Sequence, residues 1–268
     1  MKIKLLSLTA ICVAIASLTA CTTSSTGRNQ ITLFSKSELS KMGATSFEQL
    51  KQQEKISTDI KTNQYVQCVA NAITKNVPKS AHQGEWEVVV FDSKQVNAFA
   101  LPGGKIGVYT GILKVTENQH QLAAIIGHEV AHVIERHSNE RLSSNQLAQM
   151  GAMAGDAVLT SQGVENKDTW MKVGLGIAQY GVLMPYGRMH ESEADIVGQD
   201  LMAKSGFQPK AAIALWRNMA KQSKGAPPEF LSTHPANQTR INDLTQHLPK
   251  SQKLYQAQNS VQCGLGLN

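Results

Sequence analysis

The chain has 268 residues, of which 41% are apolar, 17% charged and 5% aromatic, with a formal net charge of +6. That apolar fraction and only 8 prolines exclude a disordered, collagen-like or coiled-coil polypeptide, and the length allows a substantial core. The charges form no long single-sign block and aromatic residues are few, so nucleic-acid binding finds no support.

Lys2 and Lys4 precede an uncharged run from Leu5 to Ala20, and the chain turns polar at Thr22. A basic start, a short apolar stretch and small residues at its end describe a secretory leader over residues 1–20. The run is shorter than the about 20 apolar residues of a membrane span, and no later stretch looks long and apolar enough to be one. Leu18-Thr19-Ala20-Cys21 resembles the lipobox of bacterial lipoproteins. The resemblance implies cleavage before Cys21 and lipidation of that cysteine. Because Thr22 is not Asp, it also implies an anchor in the outer membrane, facing the periplasm. Residues 21–36 then read as a polar tether and residues 37–268 as a single domain.

With Cys12 in the leader and Cys21 lipidated, Cys68 and Cys263 remain, an even pair in an oxidising compartment. A bridge between them would join an early helix to the C-terminal tail. Two free thiols, or pairing with another chain, is the alternative. Neither cysteine has a CxxC neighbour, so a zinc ribbon or redox site is not indicated.

From Ser37 to Leu50 the pattern is helical, and a second helix follows near Asn63 to Val77. Glu85 to Phe91 is rich in β-branched and aromatic residues and reads as a strand. Two more strands, Asn97 to Leu101 and Lys105 to Tyr109, flank the turn residues Pro102-Gly103-Gly104. After Thr110 the chain is helical in character, with breaks near Gly163, Pro185 to Gly187, Gly206 to Pro209 and Lys224 to Pro228. The fold class is α+β: a mostly helical domain with a small sheet ahead of the helix that carries the chemistry.

That helix, Gln121 to Arg136, contains His128-Glu129-Val130-Ala131-His132. At about 100° per residue, positions four apart lie ~40° apart around a helix, so both imidazoles face one way and suit one zinc ion. Glu129 is rotated ~100° from His128, beside the metal, where its carboxylate can take a proton from an attacking water. The flanking Leu122, Ala123, Ile125, Ile126 and Val130 make this a buried helix, in which a polar trio needs partners. A metzincin would place another histidine six residues after the motif, but that position is Ser138. His137 lies about half a turn away from His128 and reads as a solvated or capping residue.

A carboxylate from a second helix is the remaining source of a third ligand. Glu191 and Asp195 are four apart and share a face, so Glu191 can reach the metal while Asp195 buttresses a ligand imidazole through its second ring nitrogen. Glu193 points ~200° away and reads as a surface or salt-bridging residue. Between the two helices, Gln146 to Pro185 is rich in Met, Ala and Gly and reads either as helices that flank or plug the cleft or as ordinary core helices.

His128-Glu129-x-x-His132 with Glu191-x-x-Ala194-Asp195 resembles metallopeptidase family forty-eight, gluzincin-type zinc peptidases. Its members include the CAAX prenyl proteases, HtpX, mitochondrial Oma and the periplasmic BepA and LoiP, with the lipobox pointing to the LoiP-like lipoproteins. The resemblance runs roughly from Lys61 to Leu248 and implies a zincin-like domain with one zinc ion per chain, held by His128, His132 and Glu191. Nitrogen and oxygen ligands also admit cobalt or manganese in vitro. It further implies that Asn97, Ala98, Phe99 and Ala100 form an edge strand that pairs with substrate backbone. In Ser232-Thr233-His234-Pro235, the residue before proline is pushed toward extended backbone, which presents His234. By the resemblance His234 approaches the zinc, either occupying the open position in a closed state or stabilising the oxyanion, with Arg240 in support.

The expected function is a zinc endopeptidase of the bacterial envelope, with Glu129 as general base, acting on misfolded or damaged periplasmic and outer-membrane proteins. The alternative is an outer-membrane assembly factor or chaperone whose protease activity is secondary or latched by His234. Expected partners are unfolded envelope proteins, the outer membrane through the lipid, and the assembly machinery under the alternative.

Overall fold

A computed structural model describes residues 21–166, 172, 184–222, 229–235 and 238–264. It divides into two compact units: the described parts of Met1–Ser35 with Arg136–Arg188, and those of Lys36–Glu135 with Met189–Asn268.

The first unit joins the strands β1 (Cys21–Thr23) and β2 (Asn29–Ile31) to the helix α4 (His137–Ser161). The strands pair antiparallel, with Cys21 opposite Ile31. Gln30 faces inward while Asn29 and Ile31 face out. Arg28 grips the buried Glu140 of α4 with two hydrogen bonds of 2.6 and 2.8 Å, and Gln30 Nε2 donates to the same carboxylate at 3.2 Å. Backbone amides of Leu33 and Phe34 donate to Ser143 Oγ and Asn139 Oδ1. Within residues 21–36, which the sequence presents as a polar tether, Cys21–Ile31 form a hairpin held on α4. Its order comes from polar pairing with α4 rather than from an apolar period, so nothing local advertises it.

The second unit holds α1 (Lys36–Gln53), α2 (Ile60–Thr74), β3 (Glu87–Phe91), β4 (Ala98–Leu101), β5 (Lys105–Tyr109), α3 (Gln119–Ile134), and, in the part from Met189 on, α5 (Met184–Lys204). It also holds α6 (Lys210–Gln222), α7 (Glu229–Thr233) and α8 (Gln238–Gln256). The sheet order is β3-β5-β4: β3 runs parallel to β5, and β4 lies antiparallel to β5 at an edge. Alternation in β3 and β5 sends Val88, Val90, Ile106 and Val108 into the main core with Val66, Val69 and Ile73 of α2 and Leu122, Ile125 and Ile126 of α3. The other face collects Phe47, Phe91, Tyr109 and Phe99. Helix α3 packs on β4, α2 and α6, which buries every residue from Gln121 to His132.

α3 starts where Asn118 accepts hydrogen bonds from the amides of His120 and Gln121, and it stops before Arg136, whose φ of 56° turns the chain. Pro185 and Gly187, expected to break a helix, lie in the first turn of α5, where a missing N–H has no intrahelical partner to lose. The expected break at Gly163 stands just past the end of α4, with a φ of 63°. The Lys224 to Pro228 break and most of the interval from Lys167 to Leu183 lie outside the described residues.

The C-terminal tail straps this unit. Cys68 of α2 and Cys263 are joined as a disulfide with Cα atoms 5.5 Å apart. Gln119, in the first turn of α3, donates from Nε2 to Val261 O at 2.8 Å and accepts from Cys263 N at 2.8 Å.

Candidate metal centre

Four side chains from three segments of the second unit converge: His128 and His132 from α3, Glu191 from α5, and His234 just after α7. One donor atom from each lies within 4.8 Å of all the others. His128 Nε2 is 3.1 Å from His132 Nε2, 3.2 Å from His234 Nδ1 and 3.3 Å from Glu191 Oε2. Glu191 Oε2 is 2.8 Å from His234 Nδ1, and its Oε1 is 3.5 Å from His132 Nε2. A tetrahedron with metal–ligand bonds near 2.0–2.1 Å has edges of about 3.3 Å, and the separations among His128, His132 and the two Glu191 oxygens, 3.1 to 3.5 Å, are of that size, with His234 closer to Glu191 at 2.8 Å. Nitrogen and carboxylate donors at this spacing fit zinc.

The surroundings also suit a cation. Arg240 lies fully buried and donates from Nε and Nη2 to the two oxygens of Asp195 at 2.6 and 2.8 Å, and from Nη1 to Pro235 O at 3.1 Å. Its Nη1 is also 3.1 Å from Glu191 Oε2. Asp195 Oδ1 stands 3.0 Å from His128 Nδ1, close enough to steady the ring electrostatically but off the line of a hydrogen bond. Burial opposes ionisation of both carboxylates, yet it is outweighed at each. Hydrogen bonds with His128 and His234 hold Glu191 well below the usual range, and attraction to Arg240 lowers Asp195. Burial likewise disfavours the His128 cation, but Asp195 and Glu191 overcome it and push this imidazole up to about 9. A field that draws a proton so strongly is one that would hold a divalent ion.

Glu129 sits beside the nest, its Oε1 3.4 Å from His234 Nε2. That oxygen is buried and finds no hydrogen-bond partner among the described residues, as expected for a group whose partner is solvent or substrate at the metal. Burial raises its pKa, which moves the carboxylate toward the range of a general base.

Every residue that the sequence nominates for the metal and its support therefore meets in one place. Of the expected strand, Ala98 to Ala100 lie in β4 at the sheet edge, and Asn97 extends the pairing by accepting from Tyr109 N at 3.1 Å. Ala98 and Ala100 point into the core against α3, whereas Phe99 joins the aromatic cluster on the other face. Helix α7 is tied to this strand's approach, since Phe230 N donates to Val96 O at 3.0 Å. His234 follows directly, its position before Pro235 ending the helix as expected.

Two surface readings do not hold, though the alternative given with each is left standing. Glu193 is 6% exposed, because α5 is covered on its other faces too, where His190 and Gln199 are also buried, which leaves the salt-bridging reading. His137 is buried rather than solvated and is the first residue of α4, which leaves the capping reading. Sequence reasoning also missed Trp216 of α6. Its ring carries the Arg240 guanidinium 3.7 Å from its centroid, stacks on Phe230 and touches the edge of His128 at 5.6 Å. Nothing distinguishes this tryptophan in the sequence except its place on an apolar helix face.

An HExxH helix met by a glutamate from a second helix, with a small sheet alongside, defines a zincin-type peptidase domain. The chain belongs to peptidase family M48, whose model matches residues 60–248. It is 35% identical over 170 residues to the mitochondrial metalloendopeptidase OMA1 of Schizosaccharomyces pombe, covering 63% of this chain and 48% of that protein. With the Saccharomyces cerevisiae OMA1 the identity is 32% over 188 residues, 67% and 52% of the respective chains. The beta-barrel assembly-enhancing protease of Yersinia pestis is 27% identical over 208 residues, 75% and 42%. The chain thus spans about half the length, 48% and 52%, of the OMA1 proteins it matches.

Proposed function

We propose that this protein is a zinc-dependent endopeptidase of the bacterial envelope that hydrolyses peptide bonds in misfolded or damaged periplasmic and outer-membrane proteins. The observation that carries the reading is the convergence of His128, His132 and Glu191 with Glu129 alongside. The lipobox at Cys21 supports the envelope location. The quality-control role draws on the resemblance to family members that act in envelopes. Among the described residues, no helix is long and apolar enough to cross a membrane.

Zinc, when bound, supplies Lewis acidity toward water and the scissile carbonyl. His128, His132 and Glu191 hold it, and Asp195 with Arg240 fixes the His128 ring and the Glu191 carboxylate. Glu129 takes the proton of the attacking water and returns it to the leaving amine. The edge of β4 offers backbone groups to an extended substrate, an interaction that asks little of its side chains and suits unfolded proteins. Metal analysis of natively purified protein, with casein turnover by wild type and Glu129→Gln, tests this. Purified protein without stoichiometric zinc, or turnover undiminished in Glu129→Gln, would overturn it.

A second reading is favoured by His234, whose Nδ1 stands among the donors at 3.2 and 2.8 Å from His128 and Glu191. There it takes the place that water or substrate needs, and Phe230 links the same segment to the substrate strand. Under this reading the enzyme is latched, and its main role is assembly of outer-membrane proteins. The name of the Yersinia pestis relative, a beta-barrel assembly-enhancing protease, agrees with this. Under the latch, His234→Ala raises turnover of unfolded substrate; an oxyanion role lowers it.

A further inference from the structure

We propose that the apolar face of α4 beyond the hairpin lies on the phospholipid leaflet that holds the lipid of Cys21, a proposal that rests on reading Cys21 as the lipid-bearing residue. In its first turns α4 buries Asn139, Glu140 and Ser143, which bond Arg28, Gln30, Leu33 and Phe34. Leu147 follows Glu140, and Met150 follows Ser143, by seven residues, which is two turns and within ~20° of the same face. The face that grips the hairpin therefore continues past it, now through Leu147, Met150, Ala154 and Val158. No described residue of α4 after Ser143 is buried. Leu147, Met150, Met153 and Val158 are 42%, 57%, 73% and 58% exposed, and Ile31 and Leu33 of the hairpin segment 37% and 41%.

Six of the ten large hydrophobic side chains exposed among the described residues thus belong to this small unit, and of its four on α4, Leu147, Met150 and Val158 share the stripe while Met153 lies ~120° from Leu147. The place of the stripe identifies the occupant. Leu33 holds Ser143, the last buried position of α4 before its apolar half, while Gln30 and Phe34 hold Glu140 and Asn139 one turn earlier. Cys21 is paired in register with Ile31, at that same end. A lipid attached at Cys21 brings the bilayer surface to this end of the hairpin, where the stripe begins. Between Ser143 and Ser161 the stripe carries no charge, and Asp156 lies on the opposite side, ~180° from Leu147. An apolar helix face beside an acyl anchor supplies the second contact that stable membrane attachment requires, and methionines accommodate a fluid partner.

The test uses the full lipidated chain reconstituted in vesicles of phosphatidylethanolamine with a minority of phosphatidylglycerol. A nitrobenzoxadiazole fluorophore is placed by Met150→Cys, Val158→Cys or, as the outward control ~140° from Met150, Asn145→Cys. The expected result is blue-shifted emission at positions 150 and 158 and quenching by doxyl-labelled lipid at least ~2-fold stronger than at position 145. Equal quenching at all three positions, or none, overturns the proposal. A blue shift at 150 and 158 without lipid quenching also overturns it, by showing that protein covers the face. Incorporation of an alkyne fatty acid, lost in Cys21→Ser, reports on the anchor separately. Labelled chain with no quenching sinks the membrane face alone, whereas unlabelled wild type sinks the anchor and the proposal with it.

Discussion

Gly127 and Gly198 meet backbone to backbone where α3 crosses α5. A Cβ on Gly198 would stand 2.8 Å from His128 N and 2.9 Å from Gly127 C, and one on Gly127 would stand 3.0 Å from Gly198 O. Neither helix could come so close with a side chain there. The crossing falls one residue before His128 and two turns after Glu191, so it sets how far that carboxylate must reach. Gly198→Ala is expected to cost about 1–3 kcal/mol through overpacking and to weaken zinc binding at least ~10-fold, since displaced ligands lose the shared ion. Competition with a chelator of known affinity checks this. Unchanged zinc affinity would mean that the close approach does not govern the site.

Glu129→Gln keeps the volume of the side chain and removes its basicity. Zinc should remain at one per chain while casein turnover falls by about 10²–10⁴-fold. The pair of measurements matters, because loss of both would make Glu129 a structural residue of the nest.

Breaking the Asp195–Arg240 pair should be more harmful than its removal as a unit. Asp195→Asn leaves the buried Arg240 charge without its bidentate partner and is expected to destabilise the fold by about 3–5 kcal/mol. Arg240→Met with Asp195→Asn should recover part of that loss in denaturant unfolding but not the zinc affinity, since His128 has lost its neighbouring carboxylate. Full recovery of zinc affinity in the double variant would show that the carboxylate does not steady the ring.

The Cys68–Cys263 bridge closes a sequence separation of 195 residues. In the loop-entropy description its loss through Cys68→Ser costs up to about 5 kcal/mol. The same reduction in stability should follow from reducing agent in the wild type and have no effect in Cys68→Ser. Equal thermal midpoints for oxidised and reduced wild type would show that the strap of Gln119, Val261 and Cys263 holds without it.

Chelation tests the nest as a whole. Zinc present at 100 times its dissociation constant stabilises the native state by about 2.7 kcal/mol, so stripping it should lower the thermal midpoint, and adding it back should restore both midpoint and turnover. His128→Ala should start at the low midpoint and not respond to zinc.

Much of the site was legible because it is written in helix geometry. His128 and His132 share a face, Glu129 stands beside them and Glu191 shares a face with Asp195, all by the rotation of about 100° per residue. The strands 87–91, 98–101 and 105–109 were equally legible, through β-branched runs interrupted by Pro102-Gly103-Gly104. The sheet order was not: β3 pairs with β5, which skips the strand between them. Nor was the hairpin, whose partner Glu140 is 112 residues from Arg28 in sequence. Nor was the burial of Glu193, since a rotation of ~200° from Glu191 says only that it faces away from the metal and not what covers it there.

The amino-acid order by itself determined which side chains share a helix face, where helices begin and end, and hence the chemistry available on each element, because these follow from interactions between residues a few positions apart. Only the tertiary structure decided how closely α3 and α5 approach, that Trp216 lies beneath Arg240, and at what distances His234, which the family resemblance already brings to the metal, stands in the nest. Those depend on two missing side chains at a helix crossing and on apolar surfaces finding partners across the chain, relations that no local period encodes.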